Sequence, residues 1–172
     1  MAPTAMDLYE RVGRLEARAA LADLVARYCA AVDDRNFSAL AALFTADGSF
    51  GHRGSGQVIG TDAIYAFYVE RLRAITYSFH YPHTHTVSFP EPGHAIGEVS
   101  AHAEMGRKDA PPLRAAIRYS DEYQLSDAGW QFARREVRFF YFASADEIDS
   151  GRMGDLRNRW PGSPRQADLP AR

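Results

Sequence analysis

The sequence predicts a single α+β domain in which helices pack on one face of a curved, mainly antiparallel sheet. Three observations predict it. Apolar residues return at helical spacing through the early part of the chain, a two-residue alternation takes over after Tyr77, and short breaks rich in Pro, Gly and Asp separate the alternating runs. The 172 residues suffice for one apolar core with room for an internal cavity.

From Met6 to Val32 the residues Leu8, Val12, Leu15, Ala19, Ala22, Val25, Cys29 and Val32 form a stripe of helical period, so a long amphipathic helix is expected. A short helix follows over 37–44, capped by Asn36 and ended by the turn Asp47-Gly48. Strands at 49–52 and 57–59 flank Gly54-Ser55-Gly56, which reads as a hairpin turn and is too short for a phosphate loop. Thr61 suits the N-cap of a third helix, Asp62 complements its dipole, and Ile64, Phe67, Tyr68, Leu72 and Ile75 give it an apolar face.

Breaks at Pro90-Glu91-Pro92-Gly93, at 108–112 and at Ser126-Asp127-Ala128-Gly129 delimit four long strands, 78–89, 94–107, 113–125 and 130–142. Their short connections favour an antiparallel meander. The domain is expected over residues 1–142. The segment 143–172, rich in Gly, Pro, Arg and Asp, is expected as an irregular tail, disordered or lying across a pocket mouth or a partner subunit.

Hydrophobic residues make up 46% of the chain, charged residues 24%, and the formal net charge is −2, as in ordinary globular proteins. Basic residues are scattered instead of interleaved with aromatics in one run, which argues against a nucleic-acid partner. Neither a secretory signal nor a membrane-length apolar run is seen, so a cytoplasmic location and no membrane partner are expected. Cys29 is the single cysteine; it can form no internal disulfide and is expected as a buried thiol. The nucleotide-binding G-x-x-x-x-G-K-[ST] and hydrolase G-x-S-x-G motifs are absent.

Two polar features stand out. Asp33 ends the first helical pattern: it is either a solvated charge beside Asp34-Arg35-Asn36 or, lying four residues from Cys29, a carboxylate aimed at the core and in need of a partner. His80, His83 and His85 cluster in the first long strand. Alternation places His83 and His85 on one face and His80 on the other, so no metal centre is expected; a site at His83 and His85 is the weaker alternative.

The run Ala30-Ala31-Val32-Asp33-Asp34-Arg35-Asn36-Phe37, continuing through Leu40 and Leu43-Phe44 to Asp47-Gly48, resembles the first-helix signature of SnoaL-like domains, in the nuclear-transport-factor-like superfamily. Phe79-His80-Tyr81, Gly97 and Gly129-Trp130-Gln131-Phe132 resemble, in order and spacing, its dehydratase-like branch. That branch includes scytalone dehydratase, hexachlorocyclohexane dehydrochlorinase and bile acid 7α-dehydratase. The likeness spans about Leu8 to Phe142 and implies a cone-like α+β barrel with three N-terminal helices.

The resemblance further implies roles. Asp33 orients His80, which acts as acid/base; Tyr28 corresponds to a hydroxyl donor and Arg135 to an arginine that holds negative charge. A second acid/base group on the next strand departs from the family pattern, with His102 placed ahead of Glu104. Tyr28 and Asp33 lie about 140° apart on an ideal helix, so both reach one cavity only if the helix lines it broadly. Phe44, Phe50, Phe67, Tyr68, Tyr119, Tyr123, Phe139 and Tyr141 are expected in the pocket wall, suiting a polycyclic or aromatic substrate such as a steroid, polyketide or lignin-derived compound. The expected activity is cofactor-independent elimination. A ketosteroid-isomerase-like proton shift, an aldol-type cyclase, a carbon–carbon (formaldehyde) lyase and a noncatalytic ligand-binding module are the alternatives. The superfamily also implies a homodimer or homotrimer through the sheet face carrying Arg114, Arg118, Glu122 and Gln124.

Overall fold

The computed structural model describes residues 7–53 and 56–149. Helix α1 spans Leu8–Asp33 and starts at Asp7, whose carboxylate accepts the Glu10 amide at 2.8 Å. Helix α2, Phe37–Ala41, is capped by Asn36 accepting from the Ala39 amide. It ends earlier than the apolar pattern suggests, because Phe44 already begins strand β1, Phe44–His52. After β2, Gln57–Ile59, helix α3 covers Thr61–Arg71. Its N-cap is Gly60 at φ +90°, without a side-chain cap, so Thr61 is the first helical residue and not the cap.

The four long strands are β3 (Ile75–Glu91), β4 (His94–Arg107), β5 (Ala110–Ser126) and β6 (Gly129–Ser144), with α4 at Ala145–Asp149. The expected irregular segment from 143 therefore begins with regular structure up to 149, and its remainder lies outside the described residues. Strand order is β2-β1-β6-β5-β4-β3; β3 to β6 form the antiparallel meander, and β1 joins β6 in parallel.

The helices cover the inner face of this sheet, and the core lies between them, with Leu21, Leu24, Val25, Tyr28, Cys29 and Val32 of α1 packed beneath Val99, Ala103, Tyr119 and Phe132. The buried line of α1 is out of step with the expected stripe before Val25. Leu8, Val12 and Leu15 are exposed, while Leu21 and Leu24 are fully buried, so the buried stretch of α1 is its C-terminal half. Cys29 is buried, and burial pushes its thiol up to about 11, as suits an inert core thiol. Burial also sorts β5: Leu113, Ala115, Ile117, Tyr119, Asp121 and Tyr123 face in, and Arg114, Arg118, Glu122 and Gln124 face out. No described helix is long and apolar enough to cross a membrane.

Of the register shifts in the sheet, three bear on the site. In β3 the register shifts between Pro82 and Thr84, in β6 opposite Ala116/Ile117, and again opposite Glu122/Tyr123. Each extra residue turns the following side chains onto the other face.

Candidate active site

Asp33 is the last residue of α1, where the helix dipole disfavours a carboxylate by roughly 0.3–1 kcal/mol. Hydrogen bonds hold it there. The His80 backbone N–H donates to Oδ2 at 2.8 Å, and the His80 ring meets Oδ1 through Nδ1 at 2.7 Å. Burial pushes the carboxyl up, but these bonds, the charge coupling to His80 and a hydrogen bond with Ser78 outweigh it, and Asp33 sits below the usual carboxylate range. The His80 and Asp33 side chains are 8% and 17% exposed, so of the two readings of Asp33 the core-directed one describes its position.

The loop after α1 locks this geometry. Arg35 takes a left-handed φ of 59°, which ends the helix, and its guanidinium donates to Ser78 Oγ at 2.7 Å, Val32 O at 2.8 Å and Ile75 O at 3.3 Å. It ties the end of α1 to the start of β3, the two segments that carry the pair. Sequence reasoning gave Arg35 no role of its own.

His80 lines a cavity of about 50 Å³ together with Tyr28, Val32, Phe50, His52, Phe67, Tyr68, Arg71, Leu72, Met105, Ile117, Tyr119, Val137 and Phe139. Tyr28 lines the cavity directly, while Asp33 does not line it and is joined to it through the His80 ring. The Tyr28 and Tyr68 hydroxyls share a short hydrogen bond. Burial pushes Tyr28, Tyr68 and Tyr119 well above the ordinary phenol range, so all three stay protonated donors at neutral pH.

Arg135 is fully buried just behind this tyrosine layer, not in the cavity wall. Its guanidinium carbon lies 4.1 Å from the Tyr28 ring centroid, 3.9 Å from Tyr119 and 4.4 Å from Phe132. Nε and Nη2 donate to the two Asp121 oxygens at 3.0 and 3.1 Å, while Nη1 has no hydrogen-bond partner among the described residues. Desolvation opposes the Arg135 charge, and Asp121 beside it overrides that opposition. The chain continues outward, with Tyr123 donating to Asp121 at 2.7 Å and meeting His85 Nε2 at 3.0 Å. Gly97 permits that meeting: a Cβ there would lie 2.6 Å from Thr86 O and 3.3 Å from His85 Nε2.

Several expected residues stand elsewhere. His102 is exposed on the outer face and bonds His83 at 2.7 Å, because its neighbour Ala103 is the residue paired with His80. Glu104 also faces out, 3.5 Å from Arg114. Neither supplies a second acid/base group to the cavity. The irregularity at His83 reverses the expected histidine pattern, so His80 and His85 share the inner face and His83 faces out. Among the described residues no three His, Cys, Asp or Glu side chains converge to hold a metal ion.

Of the expected wall, Phe50, Phe67, Tyr68, Tyr119 and Phe139 line the cavity. Phe44 packs behind Tyr28 in the core, and Tyr123 serves Asp121 and His85. Tyr141 is on the outer face, 6.4 Å from the His102 ring, because the extra residue at Phe140 breaks its alternation with Phe139. The cavity is also far smaller than the several hundred Å³ that ligand sites usually enclose, so any aromatic guest, single-ring or polycyclic, requires the wall to move aside.

Sequence reasoning missed His52 and Arg71 in the wall. The signal was present: His52 follows Phe50 by two residues on a strand, and Arg71 follows Phe67 and Tyr68 by four and three on a helix.

Comparison with known proteins matches residues 13–136 to the SnoaL-like domain family model. Among solved structures, the chain is similar to a scytalone dehydratase-like protein from Novosphingobium aromaticivorans at 19% identity and TM-score 0.74, over 92% of this chain and 96% of that one. It is also similar to the hexachlorocyclohexane dehydrochlorinase LinA-type3 from Novosphingobium barchaimii, at 20% identity and TM-score 0.73 over 86% and 97%. ActVI-ORFA from Streptomyces coelicolor follows at 19% identity and TM-score 0.62, over 71% and 96%. At such identities the likeness shows the fold. No curated protein matches the sequence significantly. The family match covers most of the described residues, and the chain belongs to the SnoaL-like domain family.

Proposed function

We propose that the protein is a cofactor-independent lyase that removes a proton and a β leaving group from a small aromatic molecule. One observation carries this reading: the two-point grip of Asp33 on His80, whose ring also lines a mostly apolar cavity. With Nδ1 committed to Asp33, Nε2 is the ring atom left to meet a substrate. His80 takes a proton from carbon next to an activating carbonyl or phenol, and Asp33 stabilises the imidazolium as it forms. The C–H electron pair becomes the new double bond, the C–O bond breaks, and the proton on His80 passes to the departing hydroxyl, which leaves as water. Tyr28, bonded to Tyr68, donates to the oxygen that gathers negative charge, and Arg135 lowers the cost of that charge through the tyrosine faces.

The structural neighbours named for dehydratase and dehydrochlorinase activity support elimination as the reaction class. A proton shift without elimination would use the same pair, and product mass separates the two. The test is incubation with a panel of single-ring β-hydroxy carbonyl compounds in D2O, followed by mass spectrometry. Loss of water that disappears in His80→Ala is expected. Deuterium uptake without loss of water would show proton abstraction without elimination, and neither change with any compound would overturn the acid/base reading.

A further inference from the structure

Helix α1 carries two apolar stripes, and the core uses only one of them. Leu21, Leu24, Val25, Tyr28 and Val32 are buried against the sheet. Leu8, Val12, Leu15, Ala19, Ala22 and Ala26 are exposed and, at about 100° per residue, gather on the other side of the helix. Leu8 and Leu15 keep 68% and 67% of their surface in water. Single exposed apolar residues need no account, but these follow one another at steps of four, three, four, three and four. That is the 3.5-residue period of a coiled-coil seam, here about 27 Å long.

The residues beside this seam are sorted by charge. With Val12, Ala19 and Ala26 at the a positions and Leu8, Leu15 and Ala22 at the d positions, Arg11 and Arg18 take g positions on one flank, and Glu16 and Asp23 take e positions on the other. All four are exposed. Arg18 donates to Val87 O at 2.8 Å and lies over the Phe89 ring, which fixes its charge on that flank. In a parallel pair of helices each g residue meets the e residue five positions further along its partner. Arg11 then faces Glu16 of the second copy, Arg18 faces its Asp23, and a two-fold axis repeats both contacts. An antiparallel pair sets g against g and e against e, like charge against like. Val at a between Leu residues at d is also the combination that favours two strands.

We propose that the exposed face of α1 is a self-association surface that pairs with α1 of a second copy of this chain, parallel and in register. It is separate from the sheet face carrying Arg114 and Arg118, and it lies on the side of α1 turned away from the His80 cavity, so pairing there is independent of the reaction at that site. A seam of this length buries little area, and association in the micromolar range is expected.

Sedimentation velocity of the full chain, from about 1 to 200 μM at low salt, tests this. The expected result is a concentration-dependent doubling of mass that Leu15→Glu abolishes. Arg11→Glu and Glu16→Arg should each weaken pairing about fivefold or more, and the double variant, which restores opposite charges across the seam, should return it to near the wild-type strength. Every substituted side chain is exposed, so the variants should fold. Orientation is read by copper-phenanthroline oxidation. With Cys29 buried, Leu8→Cys and Ala22→Cys each carry one accessible thiol, and each should form a disulfide with its own kind. A mixture in which Leu8→Cys joins Ala22→Cys in preference to either self-pair would show antiparallel packing and overturn the proposal. So would a mass that does not change with concentration, a doubling indifferent to Leu15→Glu, or weakening by the two charge reversals that the double variant fails to recover.

Discussion

Two carboxylates meet nitrogen bases on the inner side of the sheet, and only one of these pairs opens onto the cavity. Asp121 and Arg135 are sealed, both side chains 0% exposed, with three rings packed around the guanidinium. Asp33 and His80 are nearly as well covered, yet the histidine face that Asp33 does not hold forms part of the cavity wall. The sealed pair has nothing to react with and serves the structure: it anchors β5 to β6 and sets a positive charge behind Tyr28 and Tyr119. In the proposed reaction the open pair is the one that exchanges a proton with a guest. What separates scaffold from chemistry here is which side of the tyrosine layer a pair occupies, and not the strength of its hydrogen bonds.

Substitutions should divide along that line. His80→Ala is expected to lower turnover by about 10²–10⁴-fold, the usual contribution of a general base, with a smaller loss of stability than in the sealed pair because the His80 backbone N–H still holds Asp33. A comparable loss of stability would blur the distinction. For the sealed pair the larger effect is on stability: Arg135→Met leaves Asp121 as an uncompensated buried charge and should cost about 3–5 kcal/mol in chemical denaturation. The double variant Arg135→Met with Asp121→Leu should recover much of that loss, because no lone charge remains.

Smaller effects sharpen the comparison. Arg35→Ala removes the clamp between α1 and β3 and should cost about 1–2 kcal/mol, with turnover falling more than stability because the clamp positions Asp33. The smallest effect is in pH. The Asp33 carboxyl lies below its ordinary 3.8 in the folded protein, so its stabilising contribution is present above about that pH and is lost as pH falls through the folded value. Asp33→Asn should therefore flatten the acid limb of a stability–pH curve below that point, and an unaltered limb would show that Asp33 gains nothing from His80.

Much of this arrangement was legible in the sequence. The spacing and composition around Asp33 and Phe79-His80-Tyr81 carried the family resemblance, and the turn residues at Pro92-Gly93 and Asp127-Ala128-Gly129 marked strand ends to within a few residues. The failures have a common physical source. Face assignments assume unbroken two-residue alternation, and the extra residues at His83 and Phe140 invert it, which misplaced His83, His85 and Tyr141. His102 was misplaced differently, by the strand register that sets Ala103 opposite His80. A bulge leaves little compositional mark beyond Pro82, so it is visible only once strands pair. Arg35 was missed because a charged residue in a charged loop looks solvated until the strand that receives it is in place. The exposed start of α1 shows the complementary limit: periodicity finds an apolar stripe but not which part of it the core covers.

The central claim is that Asp33 fixes the His80 ring with its proton on Nδ1 and Nε2 bare toward the cavity. Long-range 1H–15N correlation NMR of the imidazole tests this directly. The neutral ring should show the Nδ1–H tautomer, with Nε2 as the unprotonated nitrogen and the pattern lost in Asp33→Asn. A proton on Nε2 in the neutral wild-type ring, unaffected by Asp33→Asn, would contradict the account.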